Sequence, residues 1–306
     1  MKTLKIALDW TPNTNHTGIF VASQMGFYKE LNLHLDIVSP ATDDYSLTPA
    51  KKLEQNEVDL AVVPTESLFS LLLKEQKVDV KGIYAILQED TSAIVTLKSN
   101  GISRPKDLDG KIYASFKARY EDKIVKQIIV NDGGKGELVI EYPDKLGIWE
   151  TILAKKSDAS WIFKAWEGIE AETQGVELNQ FSLKDYGIPY GYSPLIIAKT
   201  DAILANEAHL KNFITATKKG YLFAQNNPEK AVEILSKYIP KRDLENIDIL
   251  KSQNYLNPFY GNQDNIGTMK ADVFQAFIEW LFEHDILEKK LIANDVFINL
   301  LNQTNP

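Results

Sequence analysis

The chain has 306 residues, which is enough for two domains, and its 44% hydrophobic and 25% charged residues are typical of a globular protein. Its net charge of −8, with no block of like charges, argues against nucleic acid or an anionic membrane surface as a partner. The chain contains no cysteine, which excludes thiolate metal sites, iron–sulfur clusters, disulfides and cysteine nucleophiles.

No hydrophobic run reaches the roughly 18–20 residues that a membrane span requires. The opening MKTLKIALDW has too short an apolar part for a signal peptide and is predicted as the first strand. We therefore expect either the mature part of an exported protein, periplasmic or surface-anchored, or a cytoplasmic protein. We also expect a monomer that needs no cofactor and no metal ion.

The same order repeats along the first two-thirds of the chain: an apolar strand, a polar or aromatic turn, and an amphipathic helix. Strands are predicted at residues 6–8, 33–38, 58–63, 81–88, 93–98, 111–115, 139–142, 159–163 and 195–199. Helices are predicted at residues 49–55, 66–75, 123–131 and 148–155, and after Trp166 as far as Gly175. This alternation predicts an α/β fold with mostly parallel βαβ units.

The last third is predicted to be nearly all helical, with helices at residues 208–225, 228–238, 244–255 and 269–284. Between the two regions, residues 180–194 (QFSLKDYGIPYGYSP) are predicted to be irregular because they contain two prolines and two glycines. The Gly/Pro-rich loop at residues 100–110 is the first candidate for entry into a second domain.

The turn after the first strand, DWTPNTNH, carries an indole, amides, a carboxylate and an imidazole within eight residues. Ligands of α/β proteins bind at the carboxyl ends of strands, and this turn lies at such an end. Trp10, Asn13 and His16 are therefore predicted to contact a ligand. The alternative is a turn with a partly buried aromatic ring and a helix-capping amide.

Four later segments carry further candidates for the same cleft, each with a plain structural alternative. Thr65 and Glu66 could instead cap a helix, Tyr120 could lie in a solvated charged turn, and the Tyr190 loop could hold scattered aromatics. Trp166 and Glu167 follow a strand directly and have the character of site residues, whereas Trp161 inside that strand is predicted to be core.

Carboxylates and aromatic rings at these turns favour a flat ligand with N–H donors, such as an aminopyrimidine. An anion would need helix N-termini and basic side chains, and only Lys117 and Arg119 offer those, so a sulfonate or nitrate ligand is the weaker alternative. Searches for common catalytic and nucleotide-binding motifs fail, and no catalytic residue is assigned.

The chain resembles the family of thiamine-pyrimidine-precursor binding proteins of ABC importers, which includes the fungal thiamine pyrimidine synthases. The segments that match in order are LDWTPNTNHTGIFVASQMGFYKELNL, VDLAVVPTESL, TLKSNGISRPKDLDGK, the WE of FKAWEG, and DYGIPYGYSPLIIA. The resemblance covers roughly residues 3–285. It implies the bilobed periplasmic-binding-protein type II fold, with chain crossings near residues 88–93 and 189–195. Lobe one would be residues 1–90 plus 195–306, and lobe two residues 91–194.

The resemblance also implies two functions of different class. One is a protein that binds an aminomethyl or hydroxymethyl pyrimidine and passes it to the permease of an ABC transporter. The other is a synthase that makes the pyrimidine from pyridoxal phosphate and its own histidine, with iron. The synthase needs a lysine, a donor histidine one turn later and a cysteine-rich motif. At the matching places this chain has Val63 and Ser67, and it has no cysteine. These departures favour the binding protein.

Overall fold

Two five-stranded sheets organise the protein, whose computed structural model describes residues 1–143 and 149–302. The strands are β1 (Lys2–Ala7), β2 (Leu33–Val38), β3 (Leu60–Val63), β4 (Val80–Ala85), β5 (Ser92–Leu97), β6 (Ile112–Ala114), β7 (Val139–Glu141), β8 (Ala159–Phe163), β9 (Leu178–Phe181) and β10 (Leu195–Lys199). The first sheet has the order β2-β1-β3-β10-β4 and the second the order β7-β6-β8-β5-β9. The part of the chain around the first sheet is called lobe one below, and the part around the second sheet lobe two.

Most helices in the described ranges belong to lobe one. They are α1 (Thr17–Gln24), α2 (Phe27–Glu30), α3 (Pro49–Glu54), α4 (Thr65–Leu72), α5 (Glu121–Asn131), α6 (Ile169–Thr173), α7 (Thr200–Ala205), α8 (Glu207–Asn226), α9 (Pro228–Leu235), α10 (Lys241–Asn246), α11 (Ile249–Leu256) and α12 (Ala271–Glu283). Of these, α5 and α6 belong to lobe two. No described helix is both long and apolar enough to cross a membrane.

The prediction of mostly parallel strands is confirmed for four of the five strands in each described sheet, and one strand of each sheet runs against its neighbours. Strand β10 is antiparallel to β3 and β4, and β5 is antiparallel to β8 and β9. Both strands begin where the chain arrives from the other lobe. A strand that enters at the edge where parallel strands end must run opposite to them. The sequence pattern of a buried strand does not show its direction.

Three further local predictions differ from the structure. The helix predicted at residues 244–255 is two helices, α10 and α11, and the Asp248 side chain caps the second by accepting a hydrogen bond from the Lys251 N–H at 2.9 Å. The segment predicted as irregular from residue 180 begins inside β9. The helix predicted at residues 148–155 starts outside the described residues, and from Trp149 to Leu153 the chain forms a π-helical turn.

The bilobed α/β architecture predicted from the sequence is confirmed. The chain passes between the lobes after β4 and again before β10. The lobe boundaries at residues 90/91 and 194/195 remain a prediction, with which the division of strands between the two sheets agrees.

The core of lobe one includes an unusually close contact between α1 and α8. A Cβ atom built on Gly220 would lie 2.0 Å from the Gly18 carbonyl oxygen, so the two helix backbones touch there. Nearby, the rings of Tyr28 and Phe213 stack at 5.7 Å. This packing fixes α1, and with it the turn that precedes α1, against the C-terminal helices.

Candidate functional site

A cavity of about 270 Å³ lies between the facing edges of the two sheets. This volume is just below the roughly 300–1,000 Å³ of pockets for drug-sized ligands, so the cavity suits a small molecule. Both lobes contribute to its lining, which consists of Asp9, Trp10, Asn13, Asn15, Thr48, Pro49, Ala50, Val62, Val63, Pro64, Glu66, Ser67, Phe116, Ala118, Glu121, Trp161, Ile162, Phe163, Trp166, Glu167 and Tyr190.

The strand order of the first sheet brings its contributions together. Strands β1 and β3 are adjacent and parallel, so the residues that follow them, including Trp10 and Glu66, emerge at one edge. Strand β10 runs antiparallel beside β3, with Leu195 opposite Val63. The segment before β10 therefore reaches the same edge and brings Tyr190 to the cavity.

The second sheet supplies the facing wall in the same way. Strands β6 and β8 are parallel neighbours, and the residues that follow them meet at one edge. Phe116 follows β6, and Trp166 and Glu167 lie in the π-helical turn Lys164–Gly168 that follows β8. The cavity thus lies between the carboxyl ends of parallel strands from both sheets.

Two groups of aromatic rings line the cavity or support its lining. The Trp10 indole lies 5.3 Å from the Tyr45 ring and 6.4 Å from the Phe116 ring, between ring centroids. In the second group, Trp161 lies 5.5 Å from Tyr190. Rings in such arrangements present flat apolar faces and polar edges to a ligand. A planar heterocycle can therefore be held by its faces.

Four carboxyl groups line the cavity, and burial makes three of them weaker acids. Burial raises the pKa of Glu66 to about 7 and that of Glu167 to about 7, and it also raises the pKa of Glu121. The Tyr190 hydroxyl donates to Glu66 Oε2 at 2.8 Å, and the Phe163 N–H donates to Glu167 Oε2 at 3.0 Å. Near neutral pH, Glu66 and Glu167 can each accept a hydrogen bond as a carboxylate or donate one as an acid.

Basic side chains are directed away from the cavity. Among the described residues, no Lys or Arg lines it. The Lys117 ammonium lies 5.5 Å from the centre of the Tyr142 ring, and the Arg119 guanidinium is 3.5 Å from a Glu288 carboxylate oxygen. The electrostatic character of the cavity is therefore set by acidic groups.

The fourth carboxyl, on Asp9, is oriented by His16. The Asn13 N–H donates to His16 Nδ1 at 3.2 Å, and His16 Nε2 lies 2.7 Å from Asp9 Oδ1. Because Nδ1 accepts a hydrogen bond, the ring proton is assigned to Nε2, which donates to Asp9. In the described part of the chain Asp9 Oδ2 has no hydrogen-bond partner, and it belongs to a residue that lines the cavity.

The C-terminal helices hold the opening turn rigidly. The Tyr260 hydroxyl donates to the Thr14 carbonyl oxygen, and the Tyr221 hydroxyl donates to the Asn15 carbonyl oxygen, each at 2.6 Å. Thr14 and Asn15 are buried, so these bonds satisfy backbone groups that water cannot reach. The turn therefore presents Trp10 and Asn13 to the cavity in a fixed arrangement.

The structure brings six of the nine predicted site residues to the cavity: Trp10, Asn13, Glu66, Trp166, Glu167 and Tyr190. The other three do not line it, which speaks against the direct ligand contact predicted for them. His16 is fully buried behind Asp9. The Thr65 hydroxyl is committed to the Tyr192 carbonyl oxygen. Tyr120 is packed in the apolar core at the start of α5.

Fifteen of the 21 described lining residues are not among the predicted site residues, and they include Asp9, Asn15, Phe116, Glu121 and Trp161. Asp9 and Asn15 lie in the same polar turn as Trp10, so the density of polar groups there was a usable signal. Glu121 is the first residue of α5, beyond the turn that follows β6, and its carboxylate accepts hydrogen bonds from the Phe116 and Ala118 N–H groups. Trp161 is buried, as predicted, but it also borders the cavity.

Comparison with known proteins agrees with this architecture. Residues 13–231 match the family model described as NMT1/THI5 like. The formylaminopyrimidine-binding protein of Halalkalibacterium halodurans is 26% identical, over 98% of this chain and 91% of that protein. The 4-amino-5-hydroxymethyl-2-methylpyrimidine phosphate synthase of Legionella pneumophila is 26% identical over 77% of this chain and 73% of that protein.

Among solved structures, the CA3427 gene product of Candida albicans, described as having the generic periplasmic binding protein fold, superposes with a TM-score of 0.72. It is 18% identical, and the match covers 100% of this chain and 99% of that one. The chain therefore has a fold of the periplasmic-binding-protein class. Within that class, the chain belongs to the NMT1/THI5-like family.

Proposed function

We propose that this protein binds a thiamine pyrimidine precursor of the aminomethyl or hydroxymethyl type and delivers it to an ABC importer. The name of the Halalkalibacterium relative supports a formylaminopyrimidine as the first ligand to test. In this proposal Trp10, Trp166 and Tyr190 contact the ring faces. Asn13, Glu66 and Glu167 form hydrogen bonds with the polar edge of the pyrimidine.

One observation carries the proposal: the cavity combines aromatic walls with four carboxyl groups and, among the described residues, no lysine or arginine. An aminopyrimidine has two apolar faces and an edge that both donates and accepts hydrogen bonds. Carboxyl groups near their pKa can match either role. A sulfonate or nitrate would instead meet acidic groups without a compensating cation, and this disfavours the anion alternative.

Calorimetric titration of the purified protein tests the ligand class. We expect binding of formylaminopyrimidine or hydroxymethylpyrimidine, and weaker or no binding of the same pyrimidine carrying a phosphate, of taurine and of nitrate. Binding of taurine or nitrate without any binding of the pyrimidines would refute the proposal.

A synthase role is the alternative, since the Legionella relative is named as one. Val63 and Ser67 occupy the places where the family resemblance puts the synthase's lysine and histidine, and both line the cavity. Neither side chain can form a Schiff base with an aldehyde. Incubation with pyridoxal phosphate, borohydride reduction and mass spectrometry test this directly, and a covalent adduct within the cavity would favour the synthase.

Delivery to an importer implies a location outside the cytoplasmic membrane, and we propose that location for the working protein. The periplasmic-binding-protein fold supports it. Fractionation of the source cells with an antibody to this protein is the test, and recovery in the cytosolic fraction alone would contradict it. Analytical ultracentrifugation tests the expected monomer.

A further inference from the structure

A buried pair of hydroxyl groups connects the two lobes at a point outside the cavity lining, where a bound ligand would not touch it. Ser252 lies on α11, and its hydroxyl donates to the Ala165 carbonyl oxygen. The Thr14 Oγ1 atom is 2.7 Å from Ser252 Oγ. Because the single hydroxyl proton of Ser252 is directed to Ala165, Thr14 must be the donor to Ser252. The bonds thus run in one direction, from Thr14 through Ser252 to Ala165.

The two ends of this chain of bonds belong to different lobes. Thr14 lies in the turn of lobe one that follows Asp9 and Asn13. Ala165 lies in the π-helical turn of lobe two, directly before Trp166. The three bonded residues are buried, with exposed fractions of 1% for Thr14, 0% for Ser252 and 2% for Ala165. A shift of one lobe away from the other would therefore break the connection.

We propose that Ser252 is a positioning residue that couples closure of the lobes to assembly of the ligand site. The proposal rests on the ligand-binding function proposed above. With the lobes apart, water can satisfy the Ala165 carbonyl. With the lobes together, the buried Ala165 is shielded from water and the Ser252 hydroxyl donates to its carbonyl oxygen instead. Closure is thus favoured when Thr14, Ser252 and Ala165 are aligned, which is also when the two cavity walls face each other.

Ion pairs that join α10 and α11 of lobe one to α6 of lobe two are weaker candidates for this role. Arg242 on α10 is 3.0 Å from Glu170, and Lys251 pairs with Glu172. The side chains of Arg242 and Lys251 are 60% and 53% exposed, so solvent and salt screen these pairs. The buried hydroxyl chain keeps its strength at physiological salt.

Ser252→Ala and Thr14→Val each remove one link without adding volume. We expect each to weaken formylaminopyrimidine binding about 3- to 10-fold, the effect of losing one buried hydrogen bond. The double variant should bind the pyrimidine about as weakly as the single variant with the lower affinity, because both changes break the same connection. Thr14→Ser keeps the hydroxyl and should recover most of the affinity. Ser236→Ala, at the end of α9, is the control.

A second readout reports the lobes directly. Since the natural chain has no cysteine, Asn100→Cys and Lys237→Cys provide one labelling site on each lobe. With formylaminopyrimidine present, the spin-label distances should show a larger open fraction in Ser252→Ala than in the labelled protein without that change. The open fraction of Ser236→Ala should equal that of the labelled protein. A merely structural role would lower the unfolding midpoint and leave this distribution as it was.

The outcomes separate this proposal from the ligand assignment. If the unmutated protein binds no pyrimidine but Ser252→Ala or Thr14→Val still opens the ligand-free lobes, the coupling stands and the ligand assignment fails. If the unmutated protein binds the pyrimidine, and both variants keep its affinity and its label distances, the coupling is refuted. Should Ser252→Ala fail to fold, the comparison of Thr14→Val with Thr14→Ser decides alone.

Discussion

Replacing Glu66 with glutamine is expected to make the ligand-free protein more stable than the parent at alkaline pH. The Glu66 carboxyl is buried, with 6% of the residue exposed, and burial raises its pKa to about 7. The nearby acids Glu121 and Asp90 add to this rise, and the hydrogen bond from the Tyr190 hydroxyl opposes it. Glutamine has nearly the same shape and can still accept that hydrogen bond.

The sign follows from proton linkage. The folded protein holds the Glu66 proton up to a pKa of about 7, whereas the unfolded chain releases it near the ordinary glutamate pKa of 4.5. The contribution of Glu66 to stability is therefore complete below pH 4.5 and is lost as the pH rises towards 7. Each pH unit within that window lowers the free energy of unfolding by about 1.4 kcal/mol. Between pH 5.5 and pH 8 the loss amounts to about 2 kcal/mol.

Urea unfolding of both proteins at pH 5.5 and pH 8 measures the difference. The stability of Glu66→Gln relative to the parent should rise by about 2 kcal/mol between the two pH values. Glu57→Gln, at an exposed position, is the matched control and should show no such change. A Glu66→Gln difference that stays the same at both pH values would refute the assignment of a buried, proton-retaining carboxyl.

Three further changes test other parts of the structure. Trp10→Ala should weaken pyrimidine binding by about 1–3 kcal/mol in calorimetry, as for anchor aromatics elsewhere, and unchanged affinity would make Trp10 a core residue only. His16→Ala should weaken binding by about 1 kcal/mol because Asp9 loses its donor, and it should add little to the loss caused by Asp9→Ala; additive losses would argue against this orienting role. Gly220→Ala should lower the free energy of unfolding by about 1–3 kcal/mol or more, since its Cβ would overlap the Gly18 carbonyl, and a neutral result would show that α1 and α8 can separate.

The position of the site could be predicted from the sequence because it depends on strand ends. Trp10, Glu66 and Glu167 each follow an apolar strand closely, and parallel strands of one sheet end at one edge. No contact between distant residues had to be known for this step. The family resemblance then supplied the two lobes that place these edges opposite each other.

The identity of each contacting side chain could not be predicted in the same way. His16 and Tyr120 are both next to lining residues in the chain, but their rings point into the protein. Which way a side chain points in a turn depends on hydrogen bonds such as Asn13 to His16, and these are not visible in composition or spacing. The antiparallel course of β10 was also hidden, because its apolar residues read the same in either direction.

The contacts of the opening turn have a consequence for how the protein is made. Tyr260 and Ser252 bond to Thr14 across sequence separations of 246 and 238 residues, and both lie beyond the residues that match the family model. While the chain is being synthesised, the first strand and its turn emerge long before these partners exist. Contacts of such long sequence separation form late in folding. The segment that begins the binding site is therefore completed only when nearly the whole chain has left the ribosome, and a fragment ending at residue 231 would keep Tyr221 but lack Tyr260 and Ser252.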